Sequence, residues 1–265
     1  MSFALAGHVA LVTGAGRGIG RAIAARLAVE GCSVGLLART GAELDSAAEA
    51  LAAAGARTCT VVADVTSAAD LEQAQARVRD ALGPVSILIN NAGYAPPRTP
   101  LTRAPAAEWD RVLATCLQGP IRLSRMLLPD MIAAGGGAIV NIGSIAARQA
   151  HAGEAVYAAA KAGLAAFTHA LFAEVREHGI RVAIVVPGNV DTALIPDNRR
   201  IDRSRFLQPH DVADVVLRVL TAPPHACAIE VVVQPQRDPR STRSEERRVG
   251  KECNGQCRSR WSPYH

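Results

Sequence analysis

One rhythm constrains this chain more than any other feature. Seven short apolar runs, at residues 8–13, 33–38, 58–63, 85–89, 138–142, 180–186 and 229–233, recur along it. Stretches with helical apolar spacing fall between them, at 20–30, 42–54, 67–82, 106–134, 154–178 and 210–220. A short apolar run without polar alternation reads as a strand buried on both faces. Strands of that kind joined by helices predict an α/β fold, a parallel sheet covered by helices on both sides. The 106–134 stretch reads as one long helix or two in succession, bent at Gly119-Pro120, because proline removes a helical donor.

The rhythm stops at residue 243. The segment 243–265 has neither strand nor helix period, and resembles the translation of short-read library adapter DNA, with Asn254-Gly255-Gln256 where a variable index would fall. It is therefore set apart as a non-native or disordered tail, and 1–242 is read as one domain. The tail carries a net +3, so removing it from the chain's +5 leaves +2. So small a charge gives no case for nucleic acid or an anionic membrane as partner. No apolar run looks long enough to span a bilayer, and residues 1–11 lead into a strand without a secretion signal, so a cytoplasmic location is expected. Cys32, Cys59, Cys116 and Cys227 are widely spaced, which predicts reduced thiols and no metal site.

Chemistry enters at the turn Thr13-Gly14-Ala15-Gly16-Arg17-Gly18-Ile19-Gly20. Four glycines between a strand and a helix let the backbone approach a pyrophosphate, and the helix N-terminus beyond offers N–H groups and a favourable dipole. The spacing is T-G-x-x-x-G-x-G and not G-x-G-x-x-G. Where an acid would hold the ribose 2′-hydroxyl of NAD, at the end of the second strand, the chain has Arg39, which suits a 2′-phosphate; Arg17 can reach the same region. The expected cofactor is NADP(H) in preference to NAD(H). Asp64 and Val65 follow the third strand, to meet the adenine or to cap a helix. Asn90-Asn91-Ala92-Gly93 follows the fourth, at the edge where such sheets bind ligands.

Tyr157 and Lys161 lie four residues apart in a predicted helix, on one face. Lys161 is the only lysine within 1–242, and Tyr157 one of two tyrosines there. Ser144 precedes Tyr157 by thirteen residues.

These motifs in order, with Pro187-Gly188-Asn189-Val190-Asp191-Thr192 after the sixth strand, resemble the short-chain dehydrogenase/reductase family over about residues 5–235. The resemblance implies a three-layer Rossmann-like fold with a seven-stranded, mostly parallel sheet. It implies Tyr157 as general acid or base for interconverting a carbonyl and an alcohol, with Lys161 favouring the phenolate and holding the nicotinamide ribose. Ser144 would orient the substrate oxygen. It assigns cofactor contacts to Thr13, Gly14, Gly16, Arg17, Gly18, Ile19, Gly20, Arg39, Asp64, Val65, Asn91, Ala92 and Gly93, and to Tyr157, Lys161, Pro187, Gly188, Val190 and Thr192. It also implies homodimers or homotetramers joined through the helices around 109–134 and 154–178, with a small-molecule carbonyl or alcohol as partner.

Cys116 stands where the family usually has an asparagine that holds a helix irregularity and a water linking the lysine to solvent. A thiol is a weak hydrogen-bonding group, so slower turnover is expected. A non-catalytic nucleotide-binding sensor or scaffold is the competing reading, and Cys116 is the feature that favours it. A nucleotide-sugar epimerase would need a longer C-terminal substrate domain. Substrate choice is expected in residues 191–206, whose four arginines fit an acidic substrate or a solvated loop, with Tyr94, Gln149 and His151 facing it.

Overall fold

The computed structural model describes residues 4–195 and 202–239. The tail at 243–265, and Arg199 and Arg200 of the segment expected to select substrate, lie outside the described residues.

Seven strands form one sheet: β1 (Val9–Thr13), β2 (Ser33–Ala38), β3 (Thr58–Val62), β4 (Ile87–Asn90), β5 (Gly137–Ile142), β6 (Ile180–Pro187) and β7 (Glu230–Val233). Their order is β3-β2-β1-β4-β5-β6-β7, and all six pairings are parallel. The helices are α1 (Gly18–Val29), α2 (Gly41–Ala53), α3 (Ala68–Leu82), α4 (Ala106–Leu113), α5 (Gly119–Ala133), α6 (Ala155–Val175) and α7 (Pro209–Leu220). The order reverses between β1 and β4, and that is where the carboxyl ends of the strands open a crevice.

Strand alternation divides the core. Ala10 and Val12 of β1 pack with Ile23 and Leu27 of α1, Leu44 of α2 and Val216 of α7. Val9 and Leu11 face the other way, with Leu71 and Val78 of α3, Leu123 and Leu127 of α5 and Leu171 of α6. Leu123 is fully buried, so Leu123→Ala is expected to cost about 2–5 kcal/mol, transfer and cavity together. The 155–178 stretch is, by length and composition, apolar enough to cross a membrane, against the sequence expectation. Here it lies over β6, with Leu164, Leu171 and Val175 buried.

The expected bend at Gly119-Pro120 lies one turn earlier. Residues 114–118 form a π turn between α4 and α5, with the Gly119 N–H donating to the Ala114 carbonyl. Pro120 has no N–H to offer the Cys116 carbonyl in a regular helix, and the chain takes one wide turn instead.

Candidate active site

The glycine turn is packed to its limit. Thr13 Oγ1 accepts from the N–H groups of Asn91 and Ala92, both at 2.9 Å. Asn91 Nδ2 in turn donates to the carbonyls of Thr13 (2.9 Å) and Gly14 (3.2 Å). These bonds tie the end of β1 to the end of β4. A Cβ on Gly20 would sit 2.5 Å from Asn91 Nδ2 and 2.8 Å from the Gly14 carbonyl carbon. Thr13 and Gly20, expected as cofactor contacts, are buried and hold the turn from behind, outside the residues that line the cleft.

The remaining predicted site residues converge. Gly14, Gly16, Arg17, Gly18, Ile19, Arg39, Asp64, Val65, Asn91, Ala92, Gly93, Ser144, Tyr157, Lys161, Pro187, Gly188, Val190 and Thr192 all line one open cleft of about 740 Å³. Tyr94, Gln149 and His151 line it too, as expected. The walls fit a dinucleotide. The first turn of α1 has no side-chain cap and no acid, so its free N–H groups and the positive end of its dipole are unblocked.

Each arginine at the β2 end faces a carboxylate: Arg17 Nε lies 3.7 Å from Glu43 and Arg39 Nη1 lies 4.0 Å from Asp64. Asp64 does not cap α3. It accepts from the Thr66 N–H, while Ser67 caps the helix and Asp70 accepts from the Asp64 N–H. The Asp64 N–H first, and then the Ser67 hydroxyl, which donates to Asp70 Oδ1 at 2.8 Å, hold the Asp70 carboxyl below its ordinary range. Glu43 was not anticipated. Its place in the first turn of α2, three residues after Thr40, was the available signal.

At the other end, α6 carries Tyr157 and Lys161 on one face. Lys161 is 4% exposed, and its Nζ donates to the Ile142 carbonyl at 2.7 Å, 6.0 Å from the Tyr157 ring centre. One of its three N–H donors is thereby spent on the end of β5. Ser144 Oγ accepts from the Ala146 N–H, which leaves its own O–H free to donate.

Cys116 is wholly buried, and its sulfur both accepts from the Tyr94 N–H and donates to the Tyr94 carbonyl, each at 3.4 Å. The helix irregularity is thus present with a thiol in place of the amide. Tyr94 itself is no second proton donor. Its hydroxyl donates to Glu108 at 2.9 Å, and that bond, with partial burial, pushes its phenol up against the opposing charge of Arg111.

Among the arginines of the 191–206 segment, Arg203 and Arg205 do not reach for substrate. Arg203 donates to the Asp191 carboxylate and to the carbonyls of Thr192 and Ile195, and Arg205 donates to Asp202 and the Asp238 carbonyl. Arg203 thereby pins the start of the segment, a role that only the fold could reveal.

This geometry, a glycine turn on an uncapped helix opposite a serine, tyrosine and lysine, agrees with the family model that residues 8–201 match, the short chain dehydrogenases. The chain belongs to the short chain dehydrogenase family. It is an NAD(P)-dependent dehydrogenase or reductase. A metagenomic short-chain oxidoreductase solved with NADP is 35% identical and superposes with a TM-score of 0.77, over 88% of this chain and 100% of that one. The 3-ketoacyl-(acyl-carrier-protein) reductase of Brucella melitensis, solved with NADH, is 28% identical with a TM-score of 0.81, over 88% and 99%. Glycine betaine reductase of Emericella nidulans is 35% identical over 244 residues, which are 89% of this chain and 19% of that protein. The two solved structures thus hold different nicotinamide cofactors, NADP in one and NADH in the other.

Proposed function

We propose that this chain is an NADP(H)-dependent reductase that interconverts a ketone, aldehyde or 3-oxoacyl group and the corresponding alcohol, with Tyr157 as general acid and base. The observation that carries the reading is the convergence of Ser144, Tyr157 and Lys161 on the cleft that also holds the glycine turn.

The bound cofactor supplies the hydride. Ser144 donates its O–H to the carbonyl oxygen and fixes its position. Tyr157 delivers its phenolic proton to that oxygen as negative charge develops there. Lys161, fixed by the Ile142 carbonyl, places a cation beside the phenolate that remains until solvent returns the proton. Gly14, Gly16, Gly18 and Ile19 would hold the pyrophosphate against α1, and Asp64 and Val65 would hold the adenine. Asn91, Ala92, Gly93, Pro187, Gly188, Val190 and Thr192 would hold the nicotinamide half. Arg39 and Arg17 would take the 2′-phosphate, each with a carboxylate partner to give up or share. Against the competing sensor or scaffold reading stands the thiol of Cys116, which bonds both backbone groups of Tyr94 beside the π turn. A homodimer or homotetramer in the cytoplasm, built from the single domain 1–242, completes the reading.

The test is oxidation of NADPH and of NADH by residues 1–242 over aldehydes, ketones and 3-oxoacyl thioesters. Tyr157→Phe is expected to abolish turnover, and Arg39→Ala to lower kcat/KM with NADPH by about tenfold, one charge-assisted bond, with little change for NADH. Undiminished turnover in Tyr157→Phe rejects the catalytic assignment, and a wild-type preference for NADH rejects the cofactor assignment.

A further inference from the structure

The geometry points to Arg98 as a carboxylate-holding group on the substrate side of the cleft, so that the preferred substrate carries an anionic carboxylate at a distance from its reacting carbonyl. The inference rests on the reductase reading above and adds the substrate's chemical class.

Arg98 belongs to the 95–100 segment that follows Asn90–Gly93 in sequence, and it lines the cleft with Tyr94, Ser144, Gln149 and His151. That segment is seated firmly. The Thr99 N–H donates to the Gly153 carbonyl at 3.0 Å. Gly153 has φ +86°, and a Cβ there would lie 2.9 Å from the Thr99 nitrogen and 3.1 Å from the Arg98 carbonyl carbon. Only glycine lets the two loops meet this way. Pro96, Pro97 and Pro100 restrict the same segment further.

On this base the guanidinium is oriented and its outer edge left open. Arg98 Nε donates to Glu154 Oε2 at 3.0 Å, and the other carboxylate oxygen of Glu154 accepts from the His151 N–H at 2.7 Å. Glu154 is mostly buried, its side chain 13% exposed against 58% for Arg98. The pairing runs through Nε, and the two terminal nitrogens of Arg98 donate no hydrogen bond among the described residues. An ion pair this exposed contributes little to stability. Its main consequence is to hold a planar donor fork in one orientation at the cleft wall, where it matches a carboxylate in two parallel bonds.

No other described cation competes for the role. Arg17 and Arg39 stand at the β2 end of the cleft, and Lys161 is at the catalytic centre. Arg203 and Arg205 are turned inward onto Asp191 and Asp202.

The experiment compares levulinate with methyl levulinate, and shorter and longer keto acids with their methyl esters, so that each pair keeps its carbonyl and differs in charge. The full chain with NADPH is expected to prefer the acid of at least one pair by about tenfold in kcat/KM. Arg98→Met should bring that ratio toward one. Glu154→Gln should raise it, because the cation loses its neutralising partner. If the pair were only a latch between loops, both variants would weaken acid and ester alike and leave the ratio where it was. That outcome, or a wild-type ratio at or below one for every pair, overturns the inference. Calorimetric titration of the same acids and esters into the full chain, with and without NADP⁺, reads the ratio as Kd and does not depend on turnover. Cofactor binding without reduction of any carbonyl would defeat the reductase reading, and the titration would still decide the case of Arg98.

Discussion

Gly20→Ala sets two effects of known size against each other. Within a helix the exchange is favourable by about 1 kcal/mol, and Gly20 is the third residue of α1. Against it stands the space available. The new methyl would lie 2.5 Å from Asn91 Nδ2 and 2.8 Å from the Gly14 carbonyl carbon, and nearer still to the Gly14 oxygen. These are backbone and a bonded amide, not the free end of a side chain. Overpacking of this kind costs roughly 1–3 kcal/mol. Displacing Asn91 also weakens its bonds to the Thr13 and Gly14 carbonyls, each worth about 1 kcal/mol. The net expectation is a loss of about 2–4 kcal/mol once the helical gain is subtracted. Gly163→Ala in α6 is the control, because its nearest neighbours are the Leu117 methyls at 3.3 and 3.5 Å, which can move. There the helical gain should survive. Urea denaturation reads both variants, and cofactor titration should show a weaker Kd for Gly20→Ala alone, since Gly14 and Asn91 line the cleft. Equal stability and equal cofactor affinity in the two variants would refute the packing argument.

Cys116→Ala removes both sulfur contacts to the Tyr94 backbone, and is expected to lower kcat and destabilise the chain by about 1–3 kcal/mol, the cost of stranding buried polar groups; Cys116→Ser, measured in parallel by urea melt and turnover, should recover most of both. Arg203→Met frees Asp191, Thr192 and Ile195, so KM for the cofactor should rise roughly tenfold while kcat changes less, with Arg203→Lys intermediate in steady-state kinetics. Burial first, and the charge of Glu30 second, push the Cys32 thiol up from 9.0 to about 11. The folded state keeps the proton that the unfolded state has released, so its contribution is intact below pH 9.0 and is lost as pH rises toward about 11. Urea midpoints across that interval should fall less steeply in Cys32→Ala than in the wild type.

The sheet and its helices were legible because the signals were local. Buried parallel strands of four to eight residues leave unbroken apolar runs, and each helix that packs on them keeps its spacing. The glycine turn, Ser144, Tyr157 and Lys161 were legible for a related reason, since their chemistry needs particular residue types at the ends of particular strands. The roles that escaped depend on pairs far apart in sequence. Thr13 and Asn91 are 78 residues apart, so nothing local marked Thr13 as the tie between the ends of β1 and β4. The fork of Arg203 closes onto backbone carbonyls, which carry no residue identity to read. A bend was expected at Gly119-Pro120 and the π turn at 114–118 was not, because Pro120 marks where a donor is missing, while the helix adjusts upstream of it.

The helix that carries Tyr157 and Lys161 poses the hardest question of register. α6 is Ala-rich and apolar nearly all round, so hydrophobic burial alone would accept several rotations about its axis. Two polar attachments remove that freedom. Lys161 bonds the Ile142 carbonyl at the end of β5. One β5 residue earlier a buried chain begins: Asn90 Nδ2 donates to Asn141 Oδ1 at 2.9 Å, Asn141 Nδ2 to Thr168 Oγ1 at 2.8 Å, and Thr168 Oγ1 to the Leu164 carbonyl at 2.7 Å. Rotating α6 by one residue's angle would leave Lys161 Nζ and Asn141 Nδ2 without their acceptors among apolar groups, at about 1–3 kcal/mol or more for each buried donor left unpaired, while Thr168 would keep its own bond to Leu164 within the helix. Asn90 and Asn141 sit opposite each other in the parallel register of β4 and β5, so the sheet's own alignment sets the height at which Thr168 must meet them. Lys161 lies seven residues before Thr168, two helical turns along the same face. The rotation that satisfies one therefore satisfies the other, and it carries Tyr157, a turn further on, to the mouth of the crevice. The lysine is in this way one of the two pins that fix where the tyrosine stands, in addition to the catalytic role proposed for it.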